Sequence, residues 1–307
     1  MPRPPARTLP AGSPRRTPSK TLSEHDTGEP VTGPGGGLAR LRLAVQYDGT
    51  DFHGWARQPA LRTVQAELEQ GLATVLRRDV ALTVAGRTDA GVHATGQVVH
   101  CDVPRPLWAE QQSRLVRRLR GVLPPDIAVP RVEEAHPAFD ARFGALARHY
   151  VYRLADGSAG PSPLRRSDTA AWPRRLDAAA MDLAAALLLG QHDYAAYCRR
   201  REGATTIRTL LRLAVTREDG DDGSGTVRIE ASADAFCHSM VRSLVGALVA
   251  VGEGRRPLDW PVGLLARTER SSEVPVAPAH GLTLVAVDYP PDAELAARAE
   301  VTRARRA

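Results

Sequence analysis

Lysine is almost absent from this 307-residue chain. Of its 41 basic residues only Lys20 is a lysine, and it lies near the start. The rest of the chain therefore lacks the positioned lysine that pyridoxal-phosphate Schiff bases and P-loop nucleotide hydrolysis require, and both chemistries are excluded. Aromatic residues are sparse at 5%. The three cysteines, Cys101, Cys198 and Cys237, are odd in number, scattered and without metal-ligand spacing. They argue against a disulfide scaffold and fit a reducing, cytoplasmic compartment. No apolar run reaches about 18 residues, so no membrane span is expected. The Pro- and Arg-rich opening residues contain no apolar h-region, so no secretory signal is expected.

Hydrophobic residues make up 43% of the chain and charged residues 25%, enough to bury a core and stay in solution. The length allows one large domain or two ordinary ones. A net charge of +6 is compatible with a polyanionic partner. The skew to arginine and alanine resembles the coding bias of GC-rich DNA and carries no functional weight by itself.

Residues 1–37 are rich in Pro, Gly, Ser and Thr and end in Gly35-Gly36-Gly37, which reads as a disordered tail. Its Asp26-Thr27-Gly28 matches the aspartic-protease triplet, but it has no second copy and no apolar strand around it, so it reads as a chance tripeptide. From Leu38 the pattern changes. Leu41, Val45 and Tyr47 alternate with polar residues as in a half-buried strand. Thr63 opens a helix with Val64, Leu68, Leu72 and Val75 on one face. Strands are expected at residues 81–85 and 97–103, around a glycine-bounded loop at 86–96. A helix carrying Trp108, Leu115, Leu119 and Val122 ends at Leu123-Pro124-Pro125-Asp126, and a strand follows from Ile127 to Val132.

The second half repeats the mixture. Strands are expected at 148–154, 207–216, 226–231 and 282–289, the middle two paired across a Gly-Asp turn at 220–225. Helices are expected at 176–189, closed by Gly190, and at 240–251. Runs of strands interrupted by helices predict an α+β fold with mainly antiparallel sheets. The weak similarity of the halves suggests two related domains, 38–141 and 142–291. Residues 292–307 read as a frayed, solvated helix.

Three clusters can carry chemistry. The first, Gly86-Arg87-Thr88-Asp89-Ala90-Gly91-Val92-His93, is delivered by one strand and left by another, a common placement for catalytic groups. Asp89 can serve as acid, base or nucleophile, and Arg87 and His93 as phosphate or base contacts. An ordinary Asx turn with a partnered aspartate is the plain structural alternative. In the second, Phe236 to Arg242, Arg242 falls inside an apolar helical run and needs a partner such as Asp89. Cys237 beside His238 invites a thiol or metal reading. Adjacent helical residues do not face the same way and no matching pair exists elsewhere, so that reading is set aside. In the third, Arg148, Tyr150 and Tyr152 share one face of a strand. Tyrosine beside arginine suits stacking on a nucleobase and pairing with phosphate. Tyrosines half in a sheet core are the commoner case.

In order along the chain, these segments resemble the tRNA pseudouridine synthase A family. The resemblance rests first on Tyr47-Asp48-Gly49-Thr50-Asp51-Phe52-His53-Gly54-Trp55, Val64-Gln65 and Gly86 to His93. It continues through Leu123-Pro124 with Asp126-Ile127, Phe139 with Ala141-Arg142-Phe143, Arg148 with Tyr150 and Tyr152, Met240-Val241-Arg242, and Ala277-Pro278-Ala279 with Gly281-Leu282. It covers about residues 38–290. It implies isomerisation of uridine to pseudouridine at nucleotides 38, 39 and 40 of the tRNA anticodon stem-loop. It implies a homodimer without metal or cofactor, built from two α+β domains whose sheets meet at an RNA-binding cleft. The family's nucleophilic aspartate matches Asp89, its uracil-packing tyrosine Tyr150, its basic partner Arg242, and the arginine that fills the space of the flipped base Arg87. His93 and Arg148 are further candidates for substrate contact. Ala56, Arg120 and Asp140 depart from the family pattern, at none of the implied catalytic positions.

The implied chemistry is coherent. A carbon–nitrogen glycosidic bond breaks, the uracil turns, and a carbon–carbon bond forms, with no net redox change. An ionised Asp89 can attack the sugar carbon to form an ester, or deprotonate the sugar to leave a glycal. Extruding the base costs a few kcal/mol, which Arg87 can partly offset. Tyr150 can hold the ring as it turns and is a candidate acceptor for the proton of carbon 5. Two other readings differ in class: a catalytically silent tRNA-binding protein, and a hydrolase pairing Asp89 with His93. The second lacks the further carboxylate or metal ligands such enzymes use.

Overall fold

The computed structural model describes residues 37–199, 205–219 and 225–304. The tail with its Asp-Thr-Gly triplet, apart from Gly37, and most of the 220–225 turn lie outside the described residues.

Alternation from Leu38 produces the first strand, β1 (Leu38–Tyr47), with Leu41, Leu43 and Val45 fully buried. Helix α1 (Val64–Leu76) follows, burying Val64, Leu68, Leu72 and Val75 as their spacing requires. Thr63 stands at its N-cap position, although its hydroxyl makes no capping bond. Then come β2 (Thr83–Val84), β3 (His93–Pro104), α2 (Arg105–Gln111), α3 (Leu115–Val122) and β4 (Ile127–Glu134). The second half holds β5 (Ala147–Ala155), β6 (Ala170–Ala171), α4 (Ala178–Ala186), β7 (Gly190–Asp193), β8 (Ile207–Asp219) and β9 (Gly225–Ala233). It closes with α5 (Met240–Gly252), α6 (Trp260–Gly263), β10 (Leu282–Asp288) and α7 (Leu295–Ala304).

The strands form one mixed, mostly antiparallel sheet in the order β4-β1-β3-β10-β5-β9-β8-β7. The last strand is the seam. β10 pairs antiparallel with β5 over most of its length and parallel with the start of β3, at Thr283–His93 and Leu284–Ala94. The strands of the two halves thus meet through β10. On the first half α1 packs against α3, and on the second α4 packs against α5 and β8.

Several boundaries differ from the sequence reading. The expected strand at 81–85 shrinks to two residues. β3 starts at His93 rather than Gln97, because its pairing with β10 extends it into a glycine-rich stretch that reads locally as loop. The helix expected around Trp108 to Val122 is two helices, broken at Gln112-Ser113-Arg114. The helix expected at 176–189 is shorter at both ends. The Asp177 carboxylate accepts the Ala180 N–H at 2.9 Å and fixes its start, and Gly190 opens a strand the apolar pattern does not reveal.

The C-terminal helix α7 is docked rather than solvated. Its Leu295 and Ala299 are buried, the Arg298 guanidinium donates to the Ala145 carbonyl at 3.1 Å, and Arg303 pairs with Asp140 at 2.8 Å. Composition hides this, because three buried positions suffice to anchor ten residues of largely Ala, Glu and Arg. We expect Leu295→Ala to lower stability by about 2–3 kcal/mol in chemical denaturation. A solvated helix would leave the midpoint unchanged.

Candidate active site

The Asp89 loop hangs between β2 and β3, and its backbone is tied on every side. The Trp55 N–H donates to the Thr88 carbonyl at 3.0 Å, and the Gly91 N–H to the Phe52 carbonyl at 3.3 Å. The Gln97 amide donates to the Gly86 carbonyl at 2.8 Å. The Thr88 hydroxyl and the buried Tyr47 phenol share a 2.8 Å hydrogen bond. Gly54 shows why the two glycine-rich motifs must co-occur. It sits at φ 94°, and a Cβ there would stand 2.9 Å from the Thr88 carbonyl oxygen.

Across from this loop stand the residues leading into α5 and its first turn. His238 Nε2 lies 3.3 Å from Asp89 Oδ1. The Ser239 hydroxyl lies 3.4 Å from Oδ2, and Arg242 Nη1 3.8 Å from the same oxygen. Arg242 is itself anchored: its Nε donates to the Ala277 carbonyl at 2.7 Å, and the Ala277 N–H returns a bond to the Arg242 carbonyl at 3.1 Å. Ser239 adopts φ 64°, a left-handed conformation for a non-glycine residue. Such strain, of order 1–3 kcal/mol, persists only where surrounding structure imposes it.

Tyr150, on β5, completes the group. Its ring meets Phe236 edge-on, 5.2 Å between centroids. Burial, the largest influence, pushes its phenol well above the ordinary tyrosine value, so it stays protonated at neutral pH. That favours a packing surface over a proton acceptor.

These groups line a cleft of about 910 Å³. Among the described residues its lining carries five arginines, Arg87, Arg142, Arg148, Arg199 and Arg242, and one carboxylate, Asp89. Arg87 is exposed on the loop. The balance of charge suits a polyanion, with one acid placed inside an otherwise basic recess. Among the described residues no cluster of three or more His, Cys, Asp or Glu side chains could hold a metal ion.

The structure therefore brings Asp89, Arg242, Tyr150 and Arg87 to one cleft. It gives His93 and Arg148 internal work instead. The His93 ring is buried, with Nδ1 accepting the Gly49 N–H at 2.9 Å and lying 3.1 Å from Asp48. It braces one motif against the other, which removes the basis for an Asp89–His93 hydrolase. Arg148 is 5% exposed, and its guanidinium donates to the Asp234, Ala85 and Arg142 carbonyls at 2.7–2.8 Å. It is a strut joining the Asp89 loop, β5 and the segment that leads into α5.

Sequence reasoning misses two residues that touch Asp89. It weighs His238 only as a partner for Cys237, and Ser239 not at all. Their one signal is proximity to Arg242. The cysteine reading also needs correction. Cys198 and Cys237 are not scattered in space but face each other with Cα atoms 5.7 Å apart, because the segment ending at Cys198 backs onto the 236–238 loop.

Comparison with known proteins bears on this geometry. A family model described as tRNA pseudouridine synthase matches residues 43–144 and 184–290. The protein named tRNA pseudouridine synthase A of Frankia casuarinae is 60% identical over 273 residues, covering 88% of this chain and 96% of its own length. Proteins of the same name from Streptomyces griseus and Streptomyces avermitilis are 53% and 54% identical, over 87% and 88% of this chain and 94% and 95% of theirs.

The strut role of Arg148 has a measurable consequence. Arg148→Met leaves buried carbonyls without donors and should destabilise the fold by about 2–4 kcal/mol. A variant that keeps its melting temperature but loses RNA affinity would return Arg148 to the substrate.

Proposed function

Because the chain belongs to the tRNA pseudouridine synthase family and is thus an isomerase acting on tRNA, we propose that it converts uridine to pseudouridine at nucleotides 38, 39 and 40 of the anticodon stem-loop. The observation that carries the reading is the Asp89 carboxylate, set in a basic cleft, faced by Arg242 and flanked by the Tyr150 ring.

In this reading phosphate contacts from the cleft arginines other than the buried Arg148 supply most of the affinity. The target uridine leaves the stack and enters the cleft, and Arg87, exposed on the loop, takes its place in the helix. Asp89 then acts on the sugar, either by attacking C1′ to form an ester as the N1–C1′ bond breaks or by removing the C2′ proton as that bond breaks to leave a glycal. The bonding pair leaves on the uracil in both cases. The uracil anion turns against Tyr150 and C5 bonds to C1′, as the C1′–O ester bond breaks to release the Asp89 carboxylate or, in the glycal route, as Asp89 returns its proton to C2′; C5 then loses its proton and N1 gains one. Atoms and electrons balance within the nucleotide, so the chemistry calls for neither cofactor nor metal. Arg242 places positive charge beside the Asp89 carboxylate. Its Nη1 is too distant for a strong hydrogen bond, and its grip on Ala277 keeps it in place.

The same reading places the protein in the cytoplasm, where tRNA is matured, as a homodimer. The family resemblance supports both. Exposed Leu183 and Leu187, one turn apart at α4 and its C-cap, offer apolar surface that a second copy can cover. A solution mass of one chain rather than two would contradict the dimer.

The central test is chemical mapping of pseudouridine in tRNA. Asp89→Ala should abolish product while leaving tRNA affinity within about threefold, because affinity lies in phosphate contacts. Binding should weaken steeply with salt. Substantial product from Asp89→Ala would remove this carboxylate from the mechanism, and a flat salt titration would contradict the basic cleft. A catalytically silent binder would give wild-type protein that binds tRNA and forms no product.

A further inference from the structure

One turn of chain, residues 238–242, supplies three groups that face Asp89, and they divide its two oxygens between them. Ser239 and Arg242 stand near Oδ2, at 3.4 and 3.8 Å. Among the described residues His238 is the one found near Oδ1, at 3.3 Å, the shortest of the three approaches. The ring is 44% exposed at its side chain, so it lies at the wet side of the cleft, whereas Arg242 lies deeper at 20%.

The ring's position is held from its backbone. The His238 carbonyl accepts the Arg199 N–H at 3.1 Å, Cys237 before it packs against Cys198, and Ser239 after it adopts the left-handed conformation. A side chain serving only as surface would need none of these restraints.

Resting on the pseudouridine synthase reading, we propose that His238 is a positioning residue for the reaction: its Nε2–H holds Oδ1 and fixes the plane of the Asp89 carboxylate. Without the ring the carboxylate would keep its Oδ2 neighbours Ser239 and Arg242, at 3.4 and 3.8 Å, and would turn more freely about its last side-chain bond. A ring 3.3 Å from Oδ1 restricts that freedom and holds the carboxylate plane in one orientation toward the nucleotide. Misplacement of a reacting group by about 1 Å can cost roughly a hundredfold in rate, so the restraint has kinetic weight although it adds nothing to RNA affinity. As Asp89 gives up its charge in forming the ester or taking the sugar proton, the Nε2–H loses its anionic acceptor. It is then available to the departing uracil anion as a hydrogen-bond donor, with no proton transferred.

The test compares wild type, His238→Ala and His238→Gln in single-turnover pseudouridine formation at saturating protein, with tRNA dissociation constants measured in parallel. Glutamine's Nε2 reaches about as far as the imidazole Nε2 and keeps an N–H. His238→Ala should slow the rate roughly tenfold to a hundredfold with affinity unchanged within about threefold. His238→Gln should recover most of the rate, and added imidazole should partly restore His238→Ala. A wild-type rate in His238→Ala overturns the proposal. So do equal losses in Ala and Gln without imidazole rescue, or a loss of affinity as large as the loss of rate. An inactive wild type would instead overturn the family reading on which the proposal rests.

Discussion

The site depends on a contact between two distant parts of the chain: the Asp89 carboxylate against the first turn of α5, across the seam where β10 enters the sheet. The segment leading into β10 touches both sides. Ala277 exchanges two hydrogen bonds with Arg242, and a Cβ on Gly91 would come within 3.1 Å of Ala279. A few residues near the C-terminal end of the sheet thus set the spacing between an acid from the first half and an arginine from the second. Were β10 to slip by one residue, its side chains would change faces and the two groups would part.

Around that contact the structure separates two kinds of polar residue. Tyr47, Thr88, Gln97, His93 and Arg148 are buried and bonded inward, and they hold the backbone of the Asp89 loop. Arg87, Asp89, His238 and Arg242 keep part of their surface in the cleft. Rigid support beneath and accessible charge above is what a site needs if its reacting group is to be placed to within about half an ångström. The proposed chemistry uses the second set together with the Tyr150 ring, and the first explains why the two motifs around Gly54 and Asp89 occur together.

Much of this is legible in the sequence. Alternation marks β1, helical spacing marks α1, and the apolar run from Met240 marks α5. The need of an arginine inside that run for an anionic partner points to Asp89. What stays hidden depends on long-range pairing. The early start of β3 is imposed by β10, and the docking of α7 rests on three residues in a polar stretch. His93 and Arg148 read as substrate contacts because residue type and strand position cannot distinguish a buried strut from a cleft-facing cation. His238 escapes notice for the converse reason. Its neighbour Cys237 draws the chemical interpretation, and only the turn at Ser239 sends the ring toward the carboxylate.

The central claim is that Asp89 meets the sugar of an extruded uridine. A co-crystal structure of the Asp89→Asn protein with tRNA tests it most directly. The account predicts a flipped uridine with C1′ or C2′ about 3–3.5 Å from the substituted side chain at position 89, its ring against Tyr150 and Arg87 in the gap it leaves. A uridine still stacked in the stem, or one whose sugar lies away from residue 89 with the cleft otherwise occupied by RNA, would contradict it.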